Sequence, residues 1–359
     1  MKGISITKPI QQVLDKIEAE YEIHISAEAR DDLLERYIKP LRRQKTHNLQ
    51  RALLSIKEKS FNYIESNNDY YKLLLFQQEI LEESIASRRI HGKKMPVERA
   101  YAESPIFTAS SPSSKAIIEL KNEDGEIVEK RVGYRTIEYK SKHGYLTTGD
   151  FRIFGGLQRM WELKGGSKKF SFSYNELCDV IDYSPEGGNY RTIEKSILKL
   201  SSTSITFEEF LDAELTNRDR IKVQNIIQSA DIGKRNAEIT FSDRLHEGLQ
   251  QGNVVRLNLS IFHDLSSVTA KLLYSLLSSL LEKQKILDLD MLINQLGIQN
   301  NSRKDVIKTI REALDDLVQS GVIYDYQLLR KGRSFKEVEL LPSEQLLEAL
   351  EEGITVSEI

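Results

Sequence analysis

One cysteine and one tryptophan in 359 residues set the first limits on this chain. A lone Cys178 excludes an internal disulfide framework and any zinc site built from several thiolates. No apolar run reaches the length of a bilayer span, and nothing near Met1 reads as a secretory leader, so the expectation is a soluble, cytoplasmic protein with no membrane contact. Histidine is scarce as well. His24, His47, His91, His143, His246 and His263 form no close pair of the kind that holds a metal beside a DNA-cutting tyrosine.

No Gly-x-x-x-x-Gly-Lys-Ser/Thr loop is present to cradle nucleotide phosphates. Gly165-Gly166-Ser167-Lys168 lacks that spacing and falls where a turn is needed. Asp288 and Asp290 have no third acid nearby, and they suit the start of a helix, where carboxylates cap and complement the dipole. Cys178 shares a helical face with Tyr174, Leu177 and Ile181, which makes it a core thiol. The expectation is therefore a protein with no catalytic residues, no metal and no cofactor.

Positive charge is clustered, not abundant. The chain carries 51 Lys and Arg against 54 Asp and Glu, a net charge of -3. An acidic tail over 343–359 holds Glu344, Glu348, Glu351, Glu352 and Glu358 with no cation, so the remainder is net positive.

Residues 1–90 read as a helical N-terminal domain. Leu33, Leu34, Tyr37, Ile38 and Leu41, then Leu53, Leu54, Phe61 and Ile64, recur at helical spacing, with a kink or end at Pro40. Arg42, Arg43, Lys45 and Arg51 fit a solvated helix face. The stretch SRRIHGKKMPVERAYAESPIFTASSPSSK has three prolines, many serines and no periodicity, which predicts a linker over 91–115. AIIELKNEDGEIVEKR, from residue 116, predicts a β-hairpin turning at Asp124-Gly125.

Beyond Tyr139 the chain repeats itself. LTTGDFRIFGGLQRMWE from Leu146 corresponds to LSSVTAKLLYSLLSSLL from Leu265, each a helix entered from a leucine. YNELCDVIDY then matches LDMLINQLGI, placing Leu177 against Leu292 and Ile181 against Leu296. Ile193 and Leu200 match Ile310 and Leu317. Three helices in order, each set followed by a β-rich segment, form a repeat of whole domains. Turn sequences SPEGG and QNNS separate the second helix from the third in the two copies. Gly155 and Gly156, inside the first helix, call for either close packing or a helix break.

This is the plan of a winged helix-turn-helix. The fold class expected is α+β: two tandem winged helix-turn-helix domains, 116–255 and 256–342, preceded by an all-helical N-terminal domain. In NYRTIEKSILKLSS the apolar line of Ile193, Ile197 and Leu200 is opposed by Arg191, Lys195 and Lys199. In the second copy Ser302 and Asp305 form a capping box before Val306, Ile310, Leu314 and Leu317. Arg303, Lys304, Lys308 and Arg311 supply its outward cations. VIYDYQLLRKGRSFKEVEL predicts a wing hairpin with Arg330, Lys331 and Arg333 at the tip and Lys336 nearby. Cations crowded on a hairpin tip repel one another unless phosphate neutralises them. The first copy offers a looser wing between ITFEEF and AEITF, with Arg218, Arg220, Lys222, Lys234 and Arg235 along it.

HGYLTTGDFRIFGGLQRMWE, FSFSYNELCDVIDYSPEGGNYRTIEKSILKLSSTSITF and VVRLNLSIFHDLSSVTAKLLYSLLSSL together resemble plasmid replication initiator proteins of the tandem winged-helix, iteron-binding class (replication initiator protein A-like). The resemblance runs from about Tyr139 to Leu340, and YRTIEKSILKLSSTSITF is its most specific part. It implies binding to repeated sites in double-stranded DNA at an origin, help in opening that origin, and recruitment of the host initiator and helicase machinery. It also implies a monomer-dimer equilibrium, with autorepression by the dimer. The residues themselves expose β-edges in VVRLNLSIF and AIIELKNEDGEIVEK that suit dimerisation. By the resemblance, Arg191, Lys195 and Lys199 lie on one recognition helix and Arg303, Lys304, Lys308 and Arg311 on the other. Two alternatives share the scaffold: a winged-helix transcriptional repressor, and a helicase-loading or chromosome-organising protein that chiefly binds proteins.

Overall fold

The structure is a computed structural model that describes residues 46–62, 74–75, 77–82, 93–109, 114–207, 223–280, 285–298, 302–332 and 334–342. The chain divides into two compact units, one of Met1–Lys93 with Asn258–Asp264 and one of Lys94–Leu257 with Leu265–Ile359.

The described elements, in chain order, are α1 (Thr46–Asn62), β1 (Lys94–Glu98), α2 (Arg99–Ala102), β2 (Phe107–Thr108), α3 (Ser114–Leu120), β3 (Ile127–Arg131), β4 (Ile137–Ser141), β5 (Leu146–Thr147) and α4 (Thr148–Leu163). Then come β6 (Lys169–Ser173), α5 (Tyr174–Val180), α6 (Gly187–Ser202), β7 (Ser204–Phe207), β8 (Val223–Asn225), β9 (Ile227–Ile232), β10 (Asn236–Phe241), α7 (Asp243–Gln250) and β11 (Val254–Asn258). The chain continues through α8 (Leu259–Asp264), α9 (Val268–Leu280), β12 (Ile286–Asp288), α10 (Leu289–Gln295), α11 (Arg303–Gln319), β13 (Ile323–Lys331) and β14 (Ser334–Pro342).

In the first unit α1 buries Leu49 against Leu81, with Ala52, Leu53 and Ile56 packed around them. Lys57 pairs with Glu82 at 2.7 Å. Pro40 and the cations Arg42, Arg43 and Lys45 lie outside the described residues.

The second unit mixes helix and sheet, and one pattern occurs in it twice. Helix α4 leads into β6, α5 and α6, and then into the β9–β10 hairpin, whose sheet has the order β6-β10-β9. Helix α9 leads into β12, α10 and α11, and then into the β13–β14 hairpin, whose sheet has the order β12-β14-β13. Each sheet therefore places the strand between the first two helices beside the last strand of its module. Local chemistry fixes the starts. Thr147 N–H donates to Asp150 at 2.8 Å at the head of α4, and Ser173 and Glu176 complete a capping box at the head of α5. Leu177 and Leu292 are fully buried, and Ile181 and Leu296 occupy the C-caps of α5 and α10. Asp288 caps α10, accepting from Met291 N–H at 2.8 Å.

Gly155 and Gly156 mark close packing, not a break. A Cβ on Gly155 would meet Met95 Sδ at 2.5 Å and one on Gly156 would meet Ile181 Cγ2 at 2.2 Å. Strand β1 and helix α5 lie against α4 at the distance that only glycine permits.

Three expectations are corrected. Residues 93–109, expected within a linker, form β1, α2 and β2, and bury Met95, Val97, Tyr101, Ile106 and Phe107. Their partners are remote in sequence: β1 pairs with β11, β2 pairs in parallel with β5, and the Phe107 ring meets Phe151 edge-on at 5.0 Å. The hairpin expected over 116–131 is instead helix α3 followed by a turn at Gly125 (φ 73). Its second half, β3, pairs with β4, whereas the first half carries Lys115, Glu119 and Leu120, which favour helix. Finally, β7 is not the opening strand of the first wing. It joins the sheet β3-β4-β7-β8, and β9 and β10 form the wing. Of the cations expected there, Arg218, Arg220 and Lys222 lie outside the described residues.

The strip 94–109 also joins the two modules into one core. Arg99 Nη1 donates to Ser279 O at 3.0 Å, and Ala109 N–H donates to Leu296 O at 2.9 Å. Gly297 (φ 58) lets Thr108 approach so closely that a Cβ would sit 3.0 Å from its Cγ2. Gln295, buried, accepts from Tyr134 N–H at 2.8 Å. Helix α9 is buried on nearly every side from Thr269 to Leu280, which explains why its sequence is apolar all round.

Candidate nucleic-acid interface

Helix α6 buries Ile193, Ser196, Ile197 and Leu200. Arg191 and Lys195 stand on its exposed face, and neither has a charged partner within salt-bridge range among the described residues. Lys199 departs from the expected stripe. Its Nζ lies 3.0 Å from Asp150 Oδ2 and 3.1 Å from Tyr145 O. Each four-residue step turns about 40° past a full turn, so the line from Arg191 through Lys195 drifts toward the core by Lys199. There Asp150, which also accepts from Ser196 Oγ at 2.5 Å, captures the ammonium.

The tip of the first wing is Gly233, Lys234 and Arg235, with both cations exposed. Helix α5 holds this tip: Tyr174 N–H donates to Arg235 O at 2.9 Å and Tyr174 OH donates to Gly233 O at 3.0 Å. Sequence reasoning scattered these cations along a longer segment. The alternation in IQSADI and NAEITF around a glycine was the signal for the true hairpin.

In the second module Ser302 caps α11, accepting from Asp305 N–H at 3.2 Å, as the spacing predicts. Val306, Ile310, Ala313, Leu314 and Leu317 are buried. Lys304 and Lys308 are exposed, and Lys308 lies 3.7 Å from Glu312 one turn on. Such an exposed pair contributes little and exchanges readily.

The arginines of this module are engaged between helix and wing. Arg303 pairs with Asp290 and donates to Phe335 O at 3.2 Å. The Phe335 ring lies under Arg311 at 5.1 Å and under Arg330 at 4.6 Å, a cation-π arrangement from both elements. Lys336 reaches Asp290 at 2.8 Å, and hydrogen bonds from Lys336 and Arg303 hold the Asp290 carboxyl below its ordinary range. At the tip Lys331 pairs with Glu337 across the hairpin. Arg333 lies outside the described residues. The structure thus displays Arg191, Lys195, Lys304, Lys308 and Lys331 to solvent, ties Arg303, Arg311 and Arg330 to the helix–wing junction, and turns Lys199 inward.

Other chemistry is limited. Burial raises the Cys178 thiol, which sits in the core of α5. Among the described residues no three His, Cys, Asp or Glu side chains converge as metal ligands, and no helix is long and apolar enough to cross a membrane.

Residues 152–278 match the family model described as "Initiator Replication protein, WH1". The match spans the first module from within α4 to within α9, and it supports a replication initiator of winged-helix build. No curated protein matches the chain. Among solved structures, a selenomethionine form of domains 2 and 3 of RctB is similar at 11% identity, covering 68% of this chain and 98% of that one, with a TM-score of 0.47. A second structure of RctB domains 2–3 is similar at 10% identity over 66% of this chain and all of that one, with a TM-score of 0.42.

Proposed function

We propose that the chain is a sequence-specific, double-stranded-DNA-binding replication initiator whose two winged helices each place their third helix in a major groove. One observation carries this reading: two modules of the same topology expose cations at the same place, Arg191 and Lys195 on α6 and Lys304 and Lys308 on α11. A helix with its apolar face buried and its cations outward is the form that a recognition helix takes. Lys234 and Arg235 on one wing tip and Lys331 on the other then meet flanking phosphates. The strip 94–109 welds the modules together, so they engage DNA as one body and fix the separation of the two contacted segments. Repeated origin sites, recruitment of host replication factors, a dimer that represses its own gene, and the absence of any catalytic activity complete the reading.

The test is binding of the full chain to duplex DNA carrying the repeats that flank its gene. Charge reversal at Lys195→Glu together with Lys308→Glu should abolish specific retention at moderate salt while the urea midpoint stays put. Unchanged affinity would make both stripes ordinary solvated faces. A single inverted repeat as the preferred target would favour the repressor.

A further inference from the structure

The two wing sheets share a topology but not an outer face. In the first, the side chains turned away from the helices are Lys169, Ser171, Ser229, Asp231, Glu238 and Thr240, as their register with one another requires. That face is wholly polar, and Lys169 and Glu238 pair on it at 2.6 Å.

In the second, Leu287, Val338, Leu328, Leu340 and Tyr326 form the inner layer against the helices, so the alternate positions face out. Ile286 stands opposite Glu339, which stands opposite Gln327, and Leu341 stands opposite Asp325. Ile286 and Leu341 are each 49% exposed, and Tyr324, extruded at a bulge beside Asp325, is 78% exposed. Three of the large apolar side chains left in solvent therefore gather at one end of one small sheet, interleaved with two carboxylates. Strand β13 is an edge of this sheet, and no strand pairs with its outer side among the described residues. Ile286 stands on the opposite edge strand, β12, so an occupant of the patch lies across the face and not along the β13 edge.

We propose that this face, bounded by Ile286, Leu341, Tyr324, Asp325 and Glu339, docks an extended segment of another protein whose every second side chain is by turns basic and apolar. The charge of the face selects the occupant. Asp325 and Glu339 repel nucleic acid. They equally repel residues 343–359 of this chain, which carry five glutamates and no cation. A lysine or arginine over Glu339 and, two residues on, an apolar residue between Ile286 and Leu341 satisfy both features, because side chains two apart in an extended segment share one face. Given the DNA reading above, α11 covers the opposite side of the sheet, so the partner binds while DNA is held.

The probe is a fluorescein-labelled seven-residue peptide with lysine and leucine by turns at every second position and serine between them, measured by anisotropy on the full chain without DNA, against the same peptide with glutamate for lysine. The lysine peptide should bind saturably and the glutamate peptide should not. The Ile286→Ser, Leu341→Ser double variant, and separately Glu339→Lys, should each weaken binding at least tenfold with unchanged urea midpoints. Lys195→Glu should leave peptide binding intact, which separates this face from the DNA surface: failure to bind DNA would leave the peptide result standing. Three outcomes overturn the proposal. They are no saturable binding, binding indifferent to the face substitutions, and a sedimenting dimer that Ile286→Ser, Leu341→Ser dissolves, which would make a second copy the occupant.

Discussion

Lys199 Nζ lies 3.0 Å from Asp150 Oδ2 across the interior of the first module, joining the third helix to the capped start of the first. The Asp150 side chain is 6% exposed and that of Lys199 is 23% exposed, so removing the cation leaves a nearly buried carboxylate unpaired. Lys199→Ala should destabilise the fold by on the order of 3 kcal/mol. Once corrected for folded fraction, DNA affinity should be unchanged. Urea unfolding with a parallel binding titration checks both, and a binding loss at full folding would return Lys199 to the recognition surface.

Gly156→Ala should be worse tolerated than Gly155→Ala. The new methyl at 156 meets the β-branched Ile181 at 2.2 Å, whereas at 155 it meets the flexible Met95 thioether at 2.5 Å. Overpacking of this kind costs about 1 to 3 kcal/mol, and methionine yields more easily than isoleucine. Thermal unfolding of the two variants gives the order directly.

Glu98, fully buried at the end of β1, sets a pH dependence. Burial pushes its carboxyl from the ordinary 4.5 up to about 7, against the pull of Arg244. Its oxygens accept from Tyr101 N–H at 3.2 Å and from Asn253 Nδ2 at 3.1 Å. The folded chain therefore holds this proton more tightly than the unfolded chain. The resulting stability is fully present below pH 4.5 and is lost as pH rises through 7, a change on the order of 3 kcal/mol. Replacement by Gln should flatten the slope of unfolding free energy against pH across that window.

What the sequence revealed depended on how local the cause was. The core lines Ile193–Ile197–Leu200 and Val306–Ile310–Leu317 are written within single helices, and both emerged where periodicity put them. Leu177 and Leu292, matched by the repeat, are both buried. The role of Lys199 is set by Asp150, 49 residues away, and no window along the chain contains both. The strip 94–109 has the composition of a linker, with basic residues and prolines, yet β11 and α4 bury its apolar side chains. The sequence pattern misplaces the first wing because β7, which follows α6 directly, belongs to another sheet. The second module has no such insertion, and its wing was readable from the alternation around Gly332.

Lys331 separates two roles for the second wing. It pairs with Glu337 across the hairpin, and a phosphate arriving at the tip must compete with that carboxylate. If the ammonium reaches phosphate in the complex, Lys331→Ala weakens binding to all sequences alike and lowers the slope of log affinity against log salt by about 0.9. Glu337→Gln acts in the opposite direction, because it removes the competitor and leaves the cation free to engage, so affinity rises for specific and random duplexes together. Lys308→Ala, on the recognition helix, should instead cost about 1 to 3 kcal/mol on the specific site while sparing random DNA. Salt titrations of the three variants on both duplexes read these effects apart. A Glu337→Gln variant with unaltered affinity would mean that Lys331 keeps its partner in the complex and that the wing holds no phosphate through it.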